Sequence, residues 1–285
     1  MTTHQIIPCV EPLVNSLNNL MSHHEHDISV SGGVLRVAVN GSGIPLICVH
    51  GWTMNASMWR YQIDLVGNGV QLVTYDRRGY GLSTAPVEPS QEVDDIEAIR
   101  NKLNLPKINL LGMSQGGRIC LRYASQYTNQ TSSLLLLGTS VDGFDGDPEP
   151  ADQIPLKEYS DLIVSEDLTI MRSKWLAHPL METNCQKVKA HLKDMVSDYL
   201  GRDLKPAPAP EQVLSTDLSA IDCPALIMAG GKEPTHIQNI TAHLQSEIGA
   251  RCHIFRGQGH FSNMTVPQDF NQIIGTFLKS LKTQP

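Results

Sequence analysis

Short apolar runs bounded by turn residues alternate with helical patterns along most of this chain, and this alternation constrains the fold more than any other feature. Strands that are separated by helices pair in parallel, because a parallel pair needs a long crossover connection. The sequence therefore predicts an α/β fold, with a mostly parallel eight-stranded sheet and helices on both faces. The predicted strands are Ile28–Ser31, Val34–Val39, Pro45–His50, Gln71–Tyr75, Ile108–Gly112, Ser133–Leu137, Ala225–Ala229 and Arg251–Phe255, and the main helices are Val93–Leu103, Gln115–Tyr127, His236–Glu247 and Gln268–Leu281.

The alternation stops between residues 140 and 217, where the chain is rich in Asp, Glu and Pro. Helical patterns occur there near Pro155–Val164, Glu166–Ala177 and Cys185–Leu200. A long excursion from the sheet inside a compact fold is more often a lid than a linker. We therefore expect residues 27–139 and 218–285 to form the core and residues 140–217 to form a helical cap.

Residues 1–26 precede the first predicted hairpin as an N-terminal arm. Apolar side chains from Val10 to Met21 recur there at helical spacing, which predicts a helix packed on its own domain or, alternatively, a homodimer contact. The adjacent residues of His23–His26 cannot all converge on one ion, so no metal site is predicted there.

The amino-acid composition limits the classes of partner that this protein can bind. With 22 basic and 29 acidic residues, the net charge is −7, which argues against a nucleic-acid partner, since phosphate binding depends on clustered Lys and Arg. There is no apolar run long enough for a membrane span and no visible secretory leader, so we expect a cytoplasmic protein without a membrane partner.

Gly112–Gly116 reads G-M-S-Q-G directly after a predicted strand and opens a helix. A turn this sharp projects the Ser114 hydroxyl from the edge of the sheet, and the flanking glycines avoid collisions there. Three fixed residues are a weak pattern, but their position between a strand and a helix makes it more specific. Ser114 is therefore the candidate nucleophile; a serine at a helix N-terminus is the structural alternative.

A candidate base and acid lie further along the chain. Of the 11 histidines, only His260 combines a position after the last strand with a glycine neighbour, in Gly257–Phe261. A base needs an acidic partner that fixes its tautomer. Glu233 follows the strand Ala225–Ala229 and fits the order nucleophile, acid, base; Asp142 is the alternative acid, and a solvated loop carboxylate is the structural alternative for either.

Together with His50–Gly51–Trp52 and Tyr75–Gly81 (Y-D-R-R-G-Y-G), these motifs resemble the α/β-hydrolase fold family over residues 27–282, in particular its branch of small esterases, enol-lactonases and cofactor-free haloperoxidases. The resemblance implies Ser114 as nucleophile, His260 as base, and the backbone N–H groups of Trp52 and Gln115 as oxyanion donors. The usual acid in the family is aspartate, so Glu233 departs from its pattern. Asp76 and Arg77 match a segment that is mostly structural in the family.

The predicted function is a serine hydrolase that cleaves a small carboxylic ester, thioester or lactone without a metal or cofactor. Trp175 of the cap is expected to enclose an apolar portion of a small-molecule substrate. Three alternatives remain: a cofactor-free perhydrolase or haloperoxidase, a cofactor-independent dioxygenase of a heterocyclic substrate, and a non-catalytic or slow-turnover receptor.

Overall fold

A computed structural model describes residues 23–205 and 214–281, and an eight-stranded sheet lies at its centre. The strands are β1 His23–Val30, β2 Gly33–Asn40, β3 Ile44–Val49, β4 Val70–Tyr75, β5 Ile108–Met113, β6 Thr131–Leu137, β7 Ala225–Gly230 and β8 Arg251–Phe255. Their order is β1-β2-β4-β3-β5-β6-β7-β8. The two pairs that involve β2 are antiparallel and the other pairs are parallel. The predicted fold class is thus confirmed, and β2 to β8 match their predicted ranges to within two residues.

Helices lie in the crossovers between the parallel strands and after β8. They are α1 Glu92–Lys102, α2 Gln115–Gln126, α3 Leu156–Val164, α4 Leu168–Leu176, α5 Gln186–Asp198, α6 Thr235–Glu247, α7 Ser262–Thr265 and α8 Pro267–Leu281, and residues Ala56–Asn68 form a 3-10 helical segment. In the described residues, α1 packs on α2, whereas α7 and α8 pack on the 3-10 segment. None of the helices within this part of the chain is long and apolar enough to cross a membrane.

The N-terminal edge of the sheet differs from the prediction. Strand β1 begins at His23, whose Cα pairs with that of Asn40 in β2, so residues 23–26 belong to the sheet and not to the arm. Their side chains are largely exposed and lack an apolar alternation, and the strand is held by backbone pairing and by ion pairs from Arg36 to Glu25 and Asp27. The predicted arm helix and dimer contact lie outside the described residues and stay predictions.

Strand direction places the candidate residues at one edge. Strands β3 to β8 run parallel, so their carboxyl ends lie on the same side of the sheet. His50 follows β3, Ser114 follows β5, Gly138 follows β6, Glu233 lies three residues past β7, and His260 lies five residues past β8. Ligands in open α/β sheets bind at this edge.

Candidate active site

Ser114 lies at a sharp turn between β5 and α2 with φ 53° and ψ −121°. A positive φ is uncommon for a residue with a side chain and often marks a functional site. The turn is held because the Ser114 N–H donates to the Leu137 carbonyl at 2.9 Å. A Cβ on Gly112 would lie 2.5 Å from the Gly117 Cα, and one on Gly116 would lie 2.5 Å from the His50 carbonyl oxygen. The glycines around the serine are therefore required by close backbone packing.

His260 and Glu233 form a buried hydrogen-bonded pair. The His260 Nδ1 lies 2.9 Å from Glu233 Oε1 and 3.0 Å from Oε2, and neither side chain is more than 6% exposed. Because an ionised carboxylate can only accept, Nδ1 carries the proton and Nε2 is left as the basic nitrogen. The two loops are joined by the Lys232 N–H, which donates to the Gln258 carbonyl at 2.8 Å.

Asp142, the alternative acid, is occupied elsewhere. Its two oxygens accept from Arg122 at 2.7 Å each, and the Thr216 hydroxyl donates to it at 2.8 Å. Burial by itself raises the pKa of Asp142, but the hydrogen bonds from Arg122 and Thr216 outweigh it and hold the pKa below its usual value. The structure therefore brings Glu233 to His260 and leaves Asp142 in a bidentate ion pair.

Gly138, which was not singled out in the sequence, lies against the His260–Glu233 pair. Its φ is 49°, and a Cβ there would lie 2.7 Å from Glu233 Oε1 and 2.8 Å from His260 Nδ1. Its N–H donates to the Met228 carbonyl of β7 at 2.9 Å. Gly138 therefore leaves the space that the pair occupies.

His50 braces the loop that follows β3. Its Nε2 accepts from the Arg77 N–H at 3.0 Å, so its Nδ1 carries the proton and donates to the Gly51 carbonyl at 2.9 Å. Burial, aided by the Arg77 charge, lowers the pKa of His50 to about 3. His50 is therefore neutral at pH 7 and acts as a fixed hydrogen-bonding group.

Arg77 joins this loop to the serine turn. Its Nη1 donates to the Gln115 Oε1 at 2.9 Å and to the His50 carbonyl at 3.2 Å. The same guanidinium forms a buried ion pair with Glu92. Arg77 therefore supports the site through other residues and does not line the cavity.

Ser114 and His260 line one small cavity of about 30 Å³. Its other lining residues are Trp52, Met54, Met113, Ile154, Trp175, Leu180 and Phe261. The rings of Trp52 and Trp175 meet edge to face with centroids 4.8 Å apart. No Lys, Arg, Asp or Glu belongs to this lining, and the described part of the chain contains no group of three His, Cys, Asp or Glu that could hold a metal ion. The residues around Ser114 are thus suited to an uncharged, apolar group.

A larger groove of about 530 Å³ lies at the opposite edge of the sheet. Its lining includes Pro45, Asn109, Thr131 and Pro224, which lie at or just before the amino ends of β3, β5, β6 and β7. This larger groove contains none of the groups described above, so the smaller cavity around Ser114 is the candidate active site.

Comparisons with known proteins agree with the fold. A model of the alpha/beta hydrolase fold family matches residues 44–267. The AB hydrolase superfamily protein YisY of Bacillus subtilis is 27% identical, over 84% of this chain and 93% of its own. The 3-oxoadipate enol-lactonase 1 of Acinetobacter baylyi is 24% identical, over 90% and 98% respectively. Among solved structures, the esterase EaEST of Exiguobacterium antarcticum has a TM-score of 0.74 and 25% identity, covering 89% of this chain and 98% of that one.

Proposed function

Because the chain belongs to the alpha/beta hydrolase fold family and is a hydrolase, we propose that it cleaves a small carboxylic ester, thioester or lactone through an acyl-enzyme on Ser114. The observation that carries this proposal is the shared cavity of Ser114 and His260, with the Glu233 carboxylate bonded to the far nitrogen of the imidazole. A nucleophile, a base and a group that orients the base are the parts that acyl transfer requires.

In the proposed reaction, His260 Nε2 takes the hydroxyl proton as Ser114 Oγ bonds to the substrate carbonyl carbon. Glu233 stabilises the imidazolium that forms. The tetrahedral intermediate collapses, the bond to the alcohol, thiol or ring oxygen breaks, and the imidazolium returns its proton to that leaving group. Water then repeats the sequence on the acyl-enzyme and releases the acid.

Two backbone N–H groups are proposed to hold the oxyanion. Gln115 is the first residue of α2, where N–H groups have no partner within the helix and the helix dipole favours negative charge. Trp52 supplies the second donor from the loop after β3, whose neighbouring Gly51 approaches Ser114 so closely that a Cβ on it would lie 3.5 Å from the serine Cβ. The Gln115 side chain is bonded to Arg77, so the proposed donor is its main chain.

We further propose that the substrate is uncharged around its carbonyl group. The cavity is lined by apolar side chains apart from Ser114 and His260, so a carboxylate buried there would lose its hydration without gaining a cationic partner. The cavity is also far smaller than a usual ligand pocket of roughly 300–1,000 Å³. A substrate therefore has to displace side chains such as Ile154 and Leu180, which come from the helical insertion (residues 140–217).

The test compares p-nitrophenyl acetate and butyrate with the p-nitrophenyl monoester of succinate, which carries a free carboxylate. We expect the neutral esters to be preferred by roughly 10²-fold or more in kcat/KM, because burial of an unpaired charge is costly. Ser114→Ala should abolish turnover of all three, whereas Ser132→Ala, at the opposite edge of the sheet, should not. A fluorophosphonate should label Ser114 alone when the product is mapped by mass spectrometry. Near-normal turnover in Ser114→Ala would refute the proposed nucleophile, and equal use of the succinate monoester would refute the proposed substrate class.

A further inference from the structure

The helical insertion bonds to two successive residues of the loop after β3. The Trp52 indole Nε1 donates to Asp203 Oδ2 at 2.7 Å, and the Trp175 indole Nε1 donates to the Thr53 hydroxyl at 2.7 Å. Asp203 and Trp175 both belong to the insertion, whereas Trp52 and Thr53 belong to the core. The loop that contains the proposed donor Trp52 N–H is therefore held by side chains from outside the core.

The conformation of this loop requires support. The Met54 N–H donates to the Gly51 carbonyl at 3.4 Å, so residues 51–54 form a turn with Thr53 at its third position. The φ of Thr53 is 60°, a value that favours glycine or asparagine at this position of a turn and is rare for a β-branched residue. Backbone strain of this kind persists only where the surroundings over-determine it. The Thr53 side chain is buried, and the bond from Trp175 holds it in place.

Asp203 is the centre of a hydrogen-bonded group that spans the core and the insertion. Its Oδ2 accepts from the Tyr80 hydroxyl at 2.9 Å as well as from Trp52, and its Oδ1 accepts from the Tyr199 hydroxyl at 2.5 Å. Burial and the charge of Asp203 raise the pKa of both tyrosines, so each hydroxyl stays protonated and donates. Hydrogen bonds to a charged acceptor are among the stronger ones. Two tyrosine hydroxyls thus fix the carboxylate that holds the Trp52 side chain.

We propose that Asp203 and Trp175 are positioning residues for the oxyanion site, and that the Trp52 N–H reaches its productive place only while the insertion is docked on residues 52 and 53. This inference rests on the proposed function, because it assigns the loop a role in acyl transfer. Simple docking of the insertion would affect substrate access and hence KM. Loss of an oxyanion donor acts instead on the transition state, so it lowers kcat and kcat/KM together.

Two variants remove the contacts without altering the residues that line the cavity. Thr53→Val keeps the shape of the side chain but removes the acceptor for Trp175. Asp203→Ala removes both carboxylate oxygens, so Trp52, Tyr80 and Tyr199 all lose their acceptor. Thr53→Ser restores the hydroxyl. The matched control is Ser57→Ala, which removes another bond between insertion and core, 3.0 Å from Ser57 Oγ to His191 Nε2.

Each variant is measured in two ways: steady-state turnover of p-nitrophenyl butyrate, and deuterium exchange of the backbone amides of residues 51–54. We expect faster exchange in Thr53→Val and Asp203→Ala, with kcat reduced by roughly 10- to 100-fold and KM changed less than about twofold, because a displacement of about 1 Å can cost 10² in rate. Thr53→Ser and Ser57→Ala should resemble the wild type in both measurements.

Unchanged exchange at residues 51–54 in both variants would overturn the inference, as would faster exchange with an unchanged kcat, or an effect confined to KM. Thermal melting identifies a variant that has lost its fold. In that case, exchange and turnover of the other variant decide whether the inference holds. A wild-type enzyme without activity on esters, thioesters or lactones would refute the proposed function, whereas the exchange measurement would still decide whether the insertion holds the loop.

Discussion

Replacing Gly138 with alanine tests whether the His260–Glu233 pair sets the rate. A Cβ at this position would lie 2.7 Å from Glu233 Oε1, whereas ordinary van der Waals contact begins near 3.4 Å, so the carboxylate has to move by about 0.7 Å. His260 Nδ1, 2.8 Å from the same point, has to move by about 0.6 Å. Because a misplacement of about 1 Å can cost 10² in rate, we expect kcat to fall by roughly 10- to 100-fold.

The matched control is Gly69→Ala, since Gly69 also has a positive φ, 79°, but open space where a Cβ would be placed. Both variants carry the cost of an L-residue in the left-handed region, about 1–2 kcal/mol. Gly138→Ala also has to displace the buried pair, so it should be the less stable of the two in urea unfolding. Only Gly138→Ala should lose turnover of p-nitrophenyl butyrate. A Gly138→Ala enzyme that is folded and retains the kcat of the control would refute the reasoning.

Three further predictions concern buried polar groups. Glu233→Gln should lower kcat by roughly 10³–10⁴-fold, because it removes the charge that fixes the His260 tautomer. Asp142→Asn, assayed alongside it, should leave kcat largely unchanged. A larger effect of Asp142→Asn than of Glu233→Gln would reverse the assignment of the acid. Folding lowers the pKa of His50 from 6.5 to about 3, so between these pH values the unfolded chain binds a proton that the folded chain does not. The free energy of unfolding should therefore have its full value above pH 6.5 and fall by up to about 1.4 kcal/mol per pH unit towards pH 3. Urea titrations of the wild type and of His50→Asn, which should lose this contribution to the slope, check the prediction. Glu92→Gln should lower the free energy of unfolding by about 3–5 kcal/mol, because it leaves the buried Arg77 charge without its ion pair; a loss below about 1 kcal/mol would contradict this.

The sheet and the serine turn were predictable because their signals are local. Apolar runs such as Leu134–Leu137 are typical of strands that are buried on both faces of a parallel sheet. The glycines around Ser114 are required by contacts with the chain immediately beside them. The order of the strands then brings Glu233 and His260 to the edge that Ser114 occupies. The start of β1 could not be predicted, because His23–His26 are held by backbone pairing, which leaves no hydrophobic pattern.

The supporting residues could not be predicted because their partners are distant in the sequence. Asp203 lies 151 positions from Trp52, and nothing in its sequence neighbourhood distinguishes it from the other acidic residues of the chain. Gly138 follows an ordinary strand, and its role is visible only where Glu233 and His260 meet beside it. Arg77 was placed in a recognisable motif, but its bond to Gln115 depends on how two loops approach each other. Such contacts depend on packing, which a residue pattern does not encode.

The two proposals together connect substrate choice with rate. The proposed base and acid are fixed by loops at the strand ends, whereas the proposed donor at Trp52 depends on Trp175, which also lines the cavity. A longer acyl group needs more room than about 30 Å³, and any movement of the Trp175 indole that makes this room weakens its bond to Thr53. A substrate that fits poorly would then bind while the oxyanion site of the enzyme is incomplete. The enzyme would therefore distinguish such substrates by a lower kcat as well as by a higher KM. On this reasoning, the indole of Trp175 couples the size of the acyl group to the geometry of the transition state.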